Sequence, residues 1–481
     1  MDNEQKQPPV ESSVPQVPQP GAIPSFFMKK KVLIPTVVAV VALVLIAVTG
    51  FVFWQKGQFW GQKNVASKTP ITILWADWAP ADSLDALVKE FTKETGIPVV
   101  VQRKSWSNFQ NYTFSILDAK KQDFDMVVGD SQWLGRGSQG GHYVNLTNFV
   151  KDNNLPETML PIAIEGYGEY PKGSGKYWAV PLEGDALGWV YRKDLFEDPR
   201  EKQAFQKKYG YELTVPTTWN QVRDIAEFFY RPEKDLYGIG LLTGVEHDPI
   251  SMGVQNLIWA FGGDLGDYKT HKVKGILNSK DSVAGLEFYK KLYAFTPPGY
   301  QNTFYTDPQD DFKKGRLVMF FSYFAFFPEL EDKTKNPYSD ATGYFKMPKG
   351  PKVQVASLGG QGLSISSYTN KKDEAFIFLK WIINDDVQAK WASLGGFSTS
   401  KKVLASNTFL EATRFNRAFA ESMTMLKDFW ADPVYAELLT ASQKQWNDYL
   451  TKDTSPSAQA TMDTLARDWE NIFEYSGYYK E

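Results

Sequence analysis

Tyr177-Trp-Ala-Val-Pro-Leu-Glu-Gly-Asp-Ala-Leu-Gly-Trp-Val-Tyr-Arg-Lys-Asp-Leu-Phe196 reads as a short apolar run, a polar break, a strand-like run and the start of a helix. Pro181 has no N–H to give to a ladder, so a central strand is not expected to run through it. Gly184 suits a place where the backbone bends or passes close to something else. Trp189 and Tyr191 alternate with Val190, as the two faces of a strand do. One segment is therefore expected to leave one sheet, cross, and enter another. Glu183 and Asp185, with the large rings of Trp178 and Trp189, fall at or near the crossing, and a crossing between lobes is a preferred place for a small-molecule site.

Upstream, Ile71–Trp75 predicts a strand and Ala79–Gly96 a helix, with Leu84, Leu87, Val88 and Phe91 on one face and Gly96 as its stop. Pro98–Val101 predicts the next strand, Ser107–Lys121 a helix, and Asp125–Asp130 a buried strand ending in a polar loop. This alternation argues for a parallel sheet with helices on its faces. Ligands of such sheets bind beyond the carboxyl ends of the strands. The residues there are Trp75, Asp77 and Trp78, then Asp130, Ser131, Gln132 and Trp133.

Downstream, Thr218 and Gln221 have the spacing of a capping box ahead of a helix that buries Val222, Ile225, Ala226 and Phe229. A strand at Tyr237–Leu242, helices at Ile250–Phe261 and Asp281–Phe295, and a strand at Leu317–Phe321 predict a second α/β lobe. The run Leu358-Gly-Gly-Gln-Gly-Leu-Ser-Ile-Ser366 fits neither a P-loop nor a dinucleotide fingerprint, and in Gly173-Ser-Gly-Lys176 the P-loop Ser/Thr is replaced by Tyr177. Residues 407–479 read as mostly helical.

The 481-residue chain is long enough for two or three domains. Its net charge of −3 argues against a nucleic-acid partner. It has no cysteine, which excludes disulfides, thiolate chemistry, Cys-ligated zinc and thioether-linked lipid. Its three histidines, His142, His247 and His271, are far apart and read as surface or core residues, so no metal or cofactor is expected. Aromatics are the unusual feature, at 15% with 15 Trp and 24 Tyr. They suit either an aromatic-rich core or a site that stacks the flat apolar faces of pyranose rings.

Residues 1–31 read as a disordered cytoplasmic tail. Lys29, Lys30 and Lys31 then precede Val32–Trp54, which carries no charge. At about 1.5 Å per residue this run spans roughly 35 Å, enough for a bilayer core and longer than the apolar region of a signal peptide. A single transmembrane anchor is expected, with the lysines keeping the tail in the cytoplasm and everything after Trp54 outside. Residues 55–69 read as a linker.

From about Ile71 onward the chain resembles the extracellular solute-binding proteins of bacterial ABC importers, and within them the carbohydrate-binding cluster. The resemblance rests on an ordered set of stations. These are the strand with Trp75 and Trp78, Phe124-Asp-Met-Val-Val128 with its Asp130/Trp133 loop, and the hinge quoted above. Pro216-Thr-Thr-Trp219, Phe312–Met319, Gly359-Gly-Gln-Gly362 and Glu374–Leu379 follow, the last ahead of Leu394-Gly-Gly-Phe397. The resemblance implies a two-lobe periplasmic-binding (Venus-flytrap, type II-like) α/β fold preceded by the membrane helix. Lobe 1 would hold residues 70–184 and 343–397, and lobe 2 residues 185–342 and 398–481. It implies a monomer that captures a mono- or oligosaccharide and delivers it to an ABC permease. The chain departs from the family in lacking a lipidated cysteine and in having no Pro after Gly395-Gly396.

Sugars need paired acceptors and donors beside flat rings. The candidate ligand-binding residues are Trp75, Trp78, Asp130, Trp133, Glu183, Asp185 and Trp189. To these the resemblance adds Trp259 and Tyr323 in lobe 2, with Gly359, Gly360 and Gln361 for close backbone and amide contacts. Trp446 completes the set. The alternative is a cell-surface glycoside hydrolase using Glu183 and Asp185, whose carboxyls would need to stand about 5–5.5 Å apart in a retaining enzyme. No Gly-x-Ser-x-Gly or metal motif accompanies them.

Overall fold

The computed structural model describes residues 69–479. The tail at 1–31, the span at 32–54 and nearly all of the linker at 55–69 lie outside the described residues. The described residues fall within one compact unit. Among the described residues no helix is long and apolar enough to cross a membrane.

The strands are β1 Ile71–Ala76, β2 Val99–Lys104, β3 Met126–Asp130, β4 Val180–Arg192, β5 Tyr237–Gly240, β6 Leu317–Tyr323, β7 Thr342–Lys346, β8 Ala356–Ile365 and β9 Leu426–Lys427. β1 pairs in parallel with both β2 and β3. The helix Ala79–Thr95 connects β1 to β2, buries Leu84, Leu87, Val88 and Phe91, and ends at Gly96 in the left-handed conformation. β8 joins antiparallel to β3, and the first half of β4 joins antiparallel to β8. The second half of β4 belongs elsewhere: Leu187–Arg192 pairs with β6 and β7, and β5 pairs in parallel with β6.

β4 is thus one unbroken strand that serves two sheets. The strand runs through the expected polar break at Glu183-Gly184-Asp185, and Pro181 lies inside its first half. Two features tolerate the proline. The first half of β4 is paired along one side, with β8, and the register with β8 shifts between Pro181 and Glu183. Each sheet has its own core. Trp75, Phe91, Leu117, Val127 and Phe378 fill the first, while Trp189, Trp219, Ile258, Tyr289, Phe321 and Trp469 are in the second. The capping box at Thr218 and Gln221 is present, and it starts one of the helices of the second core.

β7 corrects the expected lobe boundary. Residues 342–346 hydrogen-bond along the second half of β4, so the return to the first lobe begins with β8 and not at 343. A further passage, at residues 397–399, crosses directly over β4: the Gly184 N–H donates to the Phe397 carbonyl at 2.7 Å. Gly360 of β8 has φ +88, and a Cβ there would run into the Glu183 carbonyl, the Asp185 N–H and the Tyr167 hydroxyl.

Gly360→Ala should therefore cost about 1–2 kcal/mol from the left-handed backbone alone, and more from the collision with β4. A matching fall in the urea midpoint is expected. An unchanged midpoint would show that the β4–β8 contact is looser than described.

Candidate functional site

Where the two lobes face each other, the ends of the first lobe's strands meet loops of the second around a small enclosed cavity. Trp78 follows β1 and precedes the helix at Ala79, and Trp106 follows β2 and opens the helix Trp106–Asp118. Asp130 is the last residue of β3 and accepts from the Gln132 N–H at 3.4 Å. All three line the cavity with Asp185, Gly359, Gly360 and Gln361 of the crossing strands. The second lobe contributes His247, Asp248, Tyr305, Tyr323, Phe326 and Phe429.

The lobes touch across this space. Trp78 packs on Phe326, with ring centres 6.2 Å apart, and Trp106 on His247 at 5.1 Å. The His247 ring lies 4.0 Å from the Asp130 carboxylate and 3.4 Å from that of Asp248. Ser131 donates to Asp428 at 3.4 Å. The remaining void is about 40 Å³, room for about one water. A ligand the size of a sugar ring requires the walls to move apart.

Several polar atoms here are buried without a partner among the described residues. Gln361 accepts a hydrogen bond from the Trp75 indole through Oε1, which leaves its amide N–H₂ free. The Trp78 and Trp106 indole N–H groups are also buried and unpaired. Tyr305 donates to Asp248 at 2.7 Å. Asp185 accepts from the Ala186 and Ala325 N–H groups at 2.8 and 3.2 Å, tying β4 to the turn after β6. Leaving a buried donor unmade costs about 1–3 kcal/mol, so these free N–H groups are the features a ligand would satisfy.

Burial dominates the electrostatics. It pushes Asp185 up to about 8 and, against nearby Lys172, Asp428 up to about 8. Asp130 is raised to about 6 by burial and by Asp248, with His247 opposing. Glu183 is raised well above the usual carboxylate range by burial, Asp185 and Asp130. Its oxygens have no partner among the described residues, and it lies outside the cavity wall. Asp130, His247 and Asp248 bring one ligand atom each within 4.8 Å of one another, so they could hold a metal ion.

Of the sequence-predicted residues, Trp78, Asp130, Asp185, Tyr323, Gly359, Gly360 and Gln361 come together at the cavity. Trp75 stands behind Gln361. Four tryptophans are elsewhere. Trp133 packs on Phe109 in the first core, and Trp189 stacks on Phe345 in the second, with ring centres 5.4 Å apart. Trp259 donates to Asp264 at 3.2 Å, and Trp446 to the Met462 sulfur at 3.4 Å. His247, read from sequence as a surface or core histidine, is in the wall. It adopts φ +61, a conformation sparsely populated for a residue with a side chain, and Gln443 donates to its carbonyl. Trp106, Asp248, Tyr305, Phe326 and Phe429 were not anticipated. Trp106 had a signal: it follows the second parallel strand, where the rule that selected Trp78 and Asp130 also applies.

A sequence profile described as bacterial extracellular solute-binding protein matches residues 75–389. The chain belongs to this family. It is 22% identical over 277 residues to a maltotriose-binding protein of Pyrococcus abyssi, covering 56% of this chain and 53% of that one. It thus spans about half the length of that relative. It is 22% identical to a probable amino-acid ABC transporter periplasmic-binding protein of Sinorhizobium fredii, over 68% of this chain and 71% of the other. The fold matches a maltose-bound T. maritima protein with a TM-score of 0.70 at 21% identity, covering 84% of this chain and 99% of that structure.

The solute-binding domain should open as pH rises. In the closed form Asp185 and Asp428 keep their protons up to about 8, whereas hydrated carboxyls release them near 4. Stabilisation of the closed form by this route is complete below about pH 4 and is lost as pH climbs to about 8. Small-angle scattering of the unliganded domain should give a larger radius of gyration at pH 9 than at pH 5. Equal radii would show that opening does not rehydrate these carboxyls.

Proposed function

We propose that this chain is the extracytoplasmic substrate-binding component of an ABC importer. It captures a carbohydrate or polyol between its lobes and delivers it to a membrane permease. Residues 32–54 would anchor it with the tail in the cytoplasm, and it would act as a monomer. One observation carries the reading: a cavity walled by both lobes combines indole and phenol rings with carboxylates and three buried, unpaired N–H donors. That is the mixture a ring of hydroxyls around an apolar face satisfies.

The name of the Pyrococcus relative supports a sugar. The name of the Sinorhizobium relative points to amino acids, but no Lys or Arg lines this cavity among the described residues to receive an α-carboxylate. The hydrolase reading needs two carboxyls facing one ligand, and of Glu183 and Asp185 only the latter lines the cavity.

A thermal-shift screen of residues 65–481 against mono- and oligosaccharides, polyols and amino acids tests the proposal. A ligand at a hundred times its dissociation constant adds about 2.7 kcal/mol of stability. A rise with one carbohydrate or polyol series and no product formed is expected. Gln361→Ala should weaken binding of the hit about fivefold to a hundredfold, by removal of a buried donor. Turnover of the bound compound, or a rise with amino acids alone, would overturn the reading.

A further inference from the structure

The titratable lining of the cavity is predominantly acidic. Three carboxylates line it: Asp130 from the first lobe, Asp185 from the crossing strand and Asp248 from the second lobe. Among the described residues no Lys or Arg lines it, and the basic group in the wall is the His247 imidazole. Glu183 lies close enough to interact with both Asp185 and Asp130, and it adds a fourth acid without an added cation.

The rest of the wall is aromatic. Trp78 and Trp106 meet edge to face with centres 5.2 Å apart on one side. Tyr305 and Phe326 stack at 5.4 Å, with planes 12° apart, on the other. Aromatic rings lining a space beside carboxyl groups suit a cation, since ring faces carry negative potential and ionised carboxylates complete the charge. A bare metal ion would use Asp130, His247 and Asp248, which approach within 4.8 Å, but it would gain little from the indoles. It would also leave the Gln361 N–H₂ unanswered, and this side chain is 2% exposed and lines the cavity. That donor asks for a hydroxyl or carbonyl oxygen.

We infer that the physiological ligand carries a cationic nitrogen as well as hydroxyls: an aminated sugar or aminocyclitol, whose ammonium faces Asp130 and Asp248 while its hydroxyls accept from Gln361 and the two indoles. The inference rests on the importer reading and narrows its substrate class. His247, Tyr305 and Tyr323 are the other titratable groups in the wall, and none of them supplies a permanent positive charge.

Titration calorimetry of the full chain at pH 7 with three matched series tests this. The series are glucosamine with its di- and trisaccharides, their N-acetylated forms, and the glucose, maltose and maltotriose counterparts. Spermidine and calcium or zinc chloride serve as separate probes. The free amine should bind about tenfold to a hundredfold tighter than its N-acetylated twin, as expected for hydrogen bonds to charged partners. In Asp130→Asn and in Asp248→Asn, made separately in case one fails to fold, that ratio should collapse toward one. Equal or tighter binding of the uncharged sugars would overturn the cationic ligand and leave the importer reading standing. Binding of spermidine without any sugar would keep the cation and overturn the carbohydrate. Stabilisation by metal alone, or binding of none of the probes, would overturn the inference outright.

Discussion

One strand shared by two sheets is the constraint from which the rest follows. β4 gives its first half to β8 and its second half to β6 and β7. The pairing of β4 passes from β8 to β6 between Ala186 and Leu187, and Glu183, Gly184 and Asp185, which pair with Gln361, Gly360 and Gly359, lie immediately before the change. They cannot be apolar ballast, because the space beside them is the gap between two cores. At Gly184 there is no room for a side chain, because the passage at residues 397–399 lies on it, and β8 closes on its neighbours through Gly360. The crossing therefore places carboxylates in a narrow, poorly hydrated seam. Burial then raises their affinity for protons, as is seen at both Glu183 and Asp185.

The strand also fixes where the lobes can meet. Opening and closing must pivot near the crossing segments, so the groups that approach across the gap are those at strand ends and the loops opposite. These are the Trp78–Phe326, Trp106–His247 and Ser131–Asp428 contacts. Trp78, Trp106 and Phe326 are partly buried and pack against the cores from outside, which allows their contacts to be exchanged for contacts to a ligand while the cores stay filled.

Much of this was legible in the sequence. Alternating apolar patterns gave the parallel strands, and the carboxyl-end rule led to Trp78 and Asp130. The quoted hinge and the glycine-rich run led to Asp185 and Gly359-Gly360-Gln361, which pair in register as β4 and β8. What failed was telling one tryptophan from another. Trp133, Trp189, Trp259 and Trp446 are large enough to fill cores from positions next to the site, and only the fold decides on which side of a strand or helix each ring falls. Pro181 excludes a central strand, but that it lies in a strand half paired along one side, next to a register shift, is a property of pairing and not of composition. His247, Asp248, Tyr305 and Phe326 come from loops separated by tens of residues. Their convergence is set by the packing of the second lobe and leaves no local pattern.

The closed cavity helps to explain how such a site would discriminate. Its rings already stack on one another, so a ligand that offers only an apolar face exchanges one set of ring contacts for another and gains little. It must also draw on the population of open molecules, which lowers the apparent affinity of every ligand by the same factor. Discrimination then falls on the groups that have no partner among the described residues: the Gln361 amide N–H₂ and the two indole N–H groups. A ligand that satisfies all of them recovers the cost of burying them, whereas one that misses a single group leaves that cost in place. Selectivity in this seam is thus set less by the fit of the rings than by how completely the ligand answers the polar groups that the crossing strands hold away from water.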